Sequence, residues 1–292
     1  YSFDLKSNEV KIITKIENEI ITNIDVKNEY NYLVALNKDL QGIDKKKILN
    51  FARESLIKEK IKKIEISKYF ELDNKNEMID IMIEKIYRDI GINSRSEFEN
   101  YLQSVNLNFN NVYKKIEIEA VWNQLIYSKY KDKVIINENE IRNKIKNNPI
   151  KTQVFLLSEL IYEFKNQNDL IKKNREILNS IRSKGFKETV INYSIAESKN
   201  KFGSIGWVNK NALSKNIRDK LEKLNIGETT QPVVIPAGAL ILKIDDIKIE
   251  QINTNIDNEV KKIIQYETNT QLNNYSTLYF NKIKNNLIIN EY

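Results

Sequence analysis

With 292 residues, 41% of them apolar and 30% charged, the chain can bury a sizeable core and has room for about two domains, which excludes a disordered polymer. The net charge of +7 is spread over interleaved lysines and glutamates with no arginine-rich stripe, so it reads as solvated surface and argues against a nucleic-acid partner. Cysteine and histidine are both absent, which excludes disulfides, thiolate and imidazole metal sites, and every mechanism that moves a proton through an imidazole.

Alternation at Val10 and Ile12 predicts a short strand or hairpin, followed by a helix with Thr22 or Asn23 as N-cap and Val26, Tyr30 and Leu33 on one face. Ile57, Ile61 and Ile64, at i, i+4 and i+7, give "KKKILNFARESLIKEKIKKIEI" a helical stripe. Another helix is expected in "NKNEMIDIMIEKIYRDIG" with Gly91 as its stop, and a shorter one in "SRSEFENYLQSVN" behind Ser94 or Ser96. Around 110–131 a long helix carries Ile118, Val121, Trp122 and Leu125 on one face, and "INENEIRNKIKNN" closes the region before Pro149. Each stripe is first of all core, yet so elongated a helical region can leave apolar surface for other chains.

After Pro149 the pattern changes. "TQVFLLSELIYEF" reads as a dense apolar strand. A helix with Leu170, Ile177, Leu178 and Ile181 on one face follows, ended by Gly185, then a short helix in "FKETVINYSI" and another in "LSKNIRDKLEKLNIGE". "QPVVIP" and "ALILKIDD" are strand-like around a Pro-Ala-Gly turn. The order is β-α-α-loop-α-β-β, a small α/β domain. From Ile249 the chain is expected to be helical to about Ile283, and Ile256, Val260, Ile263, Ile264 and Leu272 need a partner surface.

Four pieces of this region, in order, resemble a parvulin-type peptidyl-prolyl isomerase domain: "FLLSELI", "YSIAESKNKFGSIGW", "LEKLNIGETTQPV" and "GALILKI". The flanks, with "IENEIITNIDV" as their most characteristic stretch, resemble the helical regions of the SurA-like periplasmic chaperones. The resemblance implies an α+β protein: a mainly helical chaperone domain over 1–148, an inserted parvulin-like domain over 149–248, and a C-terminal helix over 249–292 that packs back on the N-terminal domain. Gly203 and Gly206 then belong to the parvulin glycine loop, with Trp207 expected to pin that loop against the core, although Phe202 stands where the family has a second glycine.

Isomerases of this family carry a histidine on the first strand, another on the last, an aspartate or cysteine after "YS", and a methionine and a phenylalanine that hold the proline ring. The corresponding positions here are Glu159, Leu240, Ala196, Leu213 and Ile217. Both ring-holding positions stay aliphatic while the polar trio is lost, which implies a degenerate groove with no catalytic residue and, as the alternative, a weakly active isomerase. By strand alternation Glu159 shares a face with Phe155, Leu157 and Ile161, as a groove-edge or Lys/Arg-paired carboxylate or as a contact to the backbone of a bound chain.

What the resemblance implies about function is ATP-independent holding of unfolded outer-membrane or secreted proteins in the periplasm, after loss of a signal peptide. The expected clients are β-barrel chains, held in part by Tyr101, Phe109, Tyr113 and Trp122. The residues add only that no GxxxxGK[ST] nucleotide motif, no metal or other cofactor site, and no run near the ~18 apolar residues of a membrane span is present in the sequence.

Overall fold

The computed structural model describes residues 9–37, 40, 42–72, 77–146, 151–251 and 256–292. The chain divides into two compact units: Tyr1–Ser128 with Phe280–Tyr292, and Lys129–Tyr279. These boundaries differ from the expected ones at 148 and 248: the last helix belongs to the second unit through Tyr279, and only Phe280–Tyr292 joins the first.

In the first unit, β1 (Ile12–Ile16) is the middle strand of a three-stranded antiparallel sheet, flanked by β2 (Glu19–Thr22) and β7 (Ile289–Glu291). The hairpin was legible in the sequence, whereas the three-residue β7 was not. Thr22 is the N-cap of α1 (Asn23–Leu36): its hydroxyl accepts from the Asp25 N–H at 3.2 Å, and its own N–H donates to the Asp25 carboxylate at 2.8 Å. Four more helices follow, α2 (Lys45–Ile66), α3 (Glu77–Asp89), α4 (Arg95–Ser104) and α5 (Phe109–Tyr130), the last running across the unit boundary. Gly91 ends α3 with φ +86°, and Ser94 caps α4.

The apolar stripes become core as expected, with one correction. Along α2 the buried face takes Ile57 and Ile61 but leaves Ile64 only half-buried, and Lys62 and Glu65 are buried instead. The Lys62 ammonium reaches Glu119 at 2.7 Å and stands 5.3 Å above the Trp122 ring, so a lysine that composition assigned to the surface lies inside. A second buried network joins Lys115 to Glu29 at 2.8 Å and to Glu59, above the Tyr32 ring. Burial lowers the Lys115 pKa, but Glu29, Glu59 and Tyr32 outweigh it and hold the side chain charged; burial pushes the Tyr32 hydroxyl up to about 12.

In the second unit, β3 (Lys151–Tyr162) pairs along its length with β6 (Gly238–Gln251), and β4 (Ser204–Asn209) and β5 (Val233–Ile235) complete a sheet of order β4-β3-β6-β5. The expected strands are present. β4 was missed, because the glycine loop hides a strand. Ile249 lies in β6, not in a helix, and the C-terminal helix α10 spans Ile256–Lys284. One sheet face packs on α7 (Gln167–Lys184) and α8 (Phe186–Tyr193) through Leu160, Tyr162, Ala239 and Ile241; the other carries Phe155, Leu157, Ile161, Leu240, Leu242 and Ile244. Helix α6 (Glu138–Lys146) and α10 share their own cluster of Ile141, Ile145, Val260 and Ile263 with Ala212.

Trp122 is fully buried, with Phe280 edge-on at 6.3 Å. Trp122→Ala is expected to destabilise the first unit by about 3–5 kcal/mol, and the half-buried Tyr113→Ala by well under half of that, as read by chemical denaturation.

Candidate functional site

The five groove positions converge on one side of the second unit's sheet. Strand β3 contributes Glu159, opposite Leu242, and strand β6 contributes Leu240, opposite Ile161. Ala196 comes from the turn after α8, Leu213 from the segment before α9 (Lys215–Leu221), and Ile217 from α9 itself. Ala196, Leu213 and Leu240 are buried in the same cluster as Phe155, Leu157 and Ile161, and the half-buried Ile217 packs against it. The result is an aliphatic seat in which Glu159 is the one ionisable group among the five.

Glu159 is held by its backbone. Its N–H donates to the Gly203 carbonyl at 2.7 Å, and a Cβ on Gly203 would stand 2.4 Å from the Glu159 carbonyl oxygen, so with φ +86° this position admits only glycine. The loop preceding it departs from the expectation. Phe202, where a second glycine was expected, takes left-handed geometry at φ +54° and is 1% exposed. Trp207 does not pin the loop: it is 41% exposed, with the Lys248 ammonium 4.2 Å from its ring centre. Phe202 is therefore the aromatic that anchors the loop, bearing the cost of an unfavourable φ.

Among the described residues no lysine or arginine pairs with Glu159, which removes the paired-carboxylate reading. Burial raises its pKa, and the nearby Ser198 hydroxyl opposes that rise without making an aligned hydrogen bond. Sequence reasoning also missed Tyr266 of α10. Its ring packs against the same cluster, burial pushes its hydroxyl up to about 12 against the opposing effect of Thr270, and Glu159 and Glu267 push further in the same direction. No local motif marks it, since only the packing of α10 brings it there. The short ties from Ser158 to Asp245 (2.5 Å) and from Asp245 to Lys243 lie nearby on the sheet and were likewise not legible.

Chemically, this arrangement can seat an apolar ring. Its five positions offer one carboxyl and no imidazole. Among the described residues no group of three or more acidic side chains could hold a metal, and no helix is long and apolar enough to cross a membrane.

The aromatic residues expected to hold clients fall in the first unit. Tyr101, Phe109 and Tyr113 are half-buried around Phe98, and the Tyr101 hydroxyl donates to the Ala35 carbonyl at 2.6 Å. Phe109 lies beneath the Arg95 guanidinium at 4.6 Å and borders a cleft of about 620 Å³. Trp122 is a correction, because its full burial leaves no face for a client.

Residues 154–246 match the family model described as Rotamase, PPIC-type PPIASE domain, so the second unit contains a parvulin-type domain. The chain is also similar to Chaperone SurA of Pseudomonas putida, 23% identical over 163 residues, covering 52% of this chain and 38% of that protein. Chaperone SurA of Hydrogenovibrio crunogenus is 24% identical over 140 residues, 43% of this chain and 31% of that protein. The matched stretches thus span well under half the length of these curated relatives. Among solved structures, that of the SurA-like Campylobacter jejuni chaperones PEB4 and Cj1289 covers 96% of this chain and 98% of its own at 17% identity, with a TM-score of 0.39. PrsA of Bacillus cereus, a peptidylprolyl isomerase, covers 94% of this chain and 89% of its own at 18% identity and TM-score 0.30.

Two outcomes test the site. An acid whose pKa is raised on folding carries a burial cost that is absent below its ordinary value of 4.5 and complete above the folded value. Glu159→Gln should therefore stabilise the second unit at neutral pH by on the order of 1 kcal/mol, with the gain vanishing as the pH falls to that of an ordinary carboxylate, as read by urea melts across pH. Gly203→Ala should cost about 2–4 kcal/mol, whereas Gly206→Ala, with open space at its Cβ, should cost only about 1 kcal/mol for its φ of +79°.

Proposed function

We propose that the protein is an ATP-independent chaperone that holds unfolded polypeptides, and that its parvulin-type domain has lost isomerase catalysis. The observation that carries the reading is the groove itself: an aliphatic seat of Ala196, Leu213, Ile217 and Leu240 with one half-buried carboxyl, Glu159. Stabilising a twisted prolyl amide requires polar groups that bind the transition state better than the ground state. Ala196 and Leu240 bring none. Holding an unfolded chain asks less, since weak and repeated apolar contacts suffice and permit release. Likeness to proteins named Chaperone SurA supports this direction.

The finer reading is that the clients are outer-membrane β-barrel chains and the setting is the periplasm. Half-buried aromatic residues of the helical unit, Tyr101, Phe109 and Tyr113, provide adaptable contact area, and the groove is secondary. A weakly active isomerase is the second reading, favoured by the intact apolar seat.

Turnover of a short Xaa-Pro peptide should stay at the uncatalysed rate with a known parvulin as positive control; a strong acceleration that is lost in Leu213→Ala would establish the second reading instead. In light-scattering assays of an unfolded β-barrel protein, the full chain should suppress aggregation. Phe109→Ser with Tyr113→Ser should weaken suppression several-fold while Leu213→Ser changes it little. The opposite pattern would move the client site to the groove.

A further inference from the structure

Helix α10 places a graded stripe along one face: Ile256, Val260 and Ile263 pack with Ile141, Ile145 and Ala212, and Tyr266 follows three residues on. Tyr266 is the α10 residue that reaches both this cluster and the groove cluster of Leu213 and Leu240. Ala212, which precedes groove residue Leu213 in the chain, is the point at which the two clusters adjoin.

Further along, the Ser276 hydroxyl donates to the Glu197 carboxylate at 2.9 Å, next to Ala196. Ten residues of helix separate Tyr266 from Ser276, about 15 Å of rise. The helix therefore has a second attachment, to the 196–201 segment, about 15 Å along its axis from Tyr266. Its outer side is tied separately. Gln271 bridges Ile135 with hydrogen bonds to both its N–H (3.0 Å) and its carbonyl (2.8 Å), and the Tyr275 ring stacks on Tyr130 at 4.8 Å. Arg142 meets Asp257 at 2.6 Å near the start of the helix.

A helix so attached presents one large amphipathic side chain to an aliphatic seat whose lone carboxyl, Glu159, faces that ring's neighbourhood. We propose that α10 is a built-in occupant of the parvulin groove: the Tyr266 ring holds the position an incoming peptide side chain must take, and the groove admits a ligand only when the helix lifts. The ligand class is a short apolar or aromatic segment flanking proline, chosen by the aliphatic lining of Ala196, Leu213, Ile217 and Leu240. Occupancy from within acts as competition. A groove open in one molecule of a hundred binds such a peptide about a hundredfold more weakly than an emptied one. This goes beyond the chaperone reading and is read out by groove access, not by client holding.

The test uses the full chain, isotope-labelled, titrated with the uncharged peptide acetyl-Ala-Leu-Pro-Phe-amide while the amide signals of Leu213, Ile217 and Leu240 are followed. Tyr266→Ala should bind at least tenfold more tightly than the parent, and Tyr266→Phe, which keeps the ring, should behave like the parent. Equal affinity of parent and Tyr266→Ala would overturn the proposal, and so would failure of both to bind. Should Tyr266→Ala not fold, the cysteine-free chain allows a second measurement. A single thiol introduced as Ile217→Cys should react with N-ethylmaleimide severalfold faster when Gln271→Ala and Ser276→Ala loosen the helix at a distance. An unchanged rate would overturn the proposal.

Discussion

The ladder between β3 and β6 is the interaction on which the second unit depends. It joins residues 151–162 to residues 239–251 in one antiparallel ladder, with Lys151 opposite Gln251 and Tyr162 opposite Ala239. Closing so long a loop costs chain entropy that grows only slowly with length, so the insertion of α7, α8, α9, the glycine loop and two short strands between β3 and β6 is tolerated. The pairing also sorts side chains. Leu160 and Tyr162 go to the α7 and α8 side, and Leu157 and Ile161 go to the groove side. A slip of one residue would exchange these sets and scatter the seat.

Backbone geometry on that ladder explains why the loop needs its glycine. The register is irregular between Leu156 and Leu157 against β6, and between Leu157 and Ser158 against β4, just before Glu159. At that irregularity the Gly203 carbonyl takes the Glu159 N–H, and no side chain can stand between the two backbones. The glycine meets a requirement of folding, the close approach of two backbones. Phe202 shows the same pressure from the other side, because its buried ring outweighs the cost of a left-handed backbone.

Buried charge is handled in two contrasting ways. In the first unit, Lys115 sits between Glu29 and Glu59, and Glu29 also accepts from the Ser55 hydroxyl at 2.7 Å, so the buried ammonium is met by carboxylates and hydrogen bonds. In the second, no lysine or arginine among the described residues pairs with the half-buried Glu159, and burial raises its pKa.

Much of this was written in the chain itself. Periodicity placed the helices, because a 3.6-residue stripe such as Ile118, Val121, Trp122 and Leu125 has no other way to bury one face. Caps at Thr22 and Ser94 and the stop at Gly91 were local chemistry, readable within three or four residues. The five groove positions were assigned by resemblance, and Ala196, Leu213, Ile217 and Leu240 share one cluster in the structure. Tertiary structure alone decided the rest. Lys62 is buried because Glu119 and the Trp122 ring meet it from another helix, and Trp207 is exposed because β4 turns it away from the core. Tyr266 reaches the groove through the packing of a helix that begins more than forty residues after Leu213 in the chain. Sequence patterns record which face of an element is apolar, whereas the identity of the surface that meets that face is fixed by contacts between residues distant in the chain, and no local spacing encodes those.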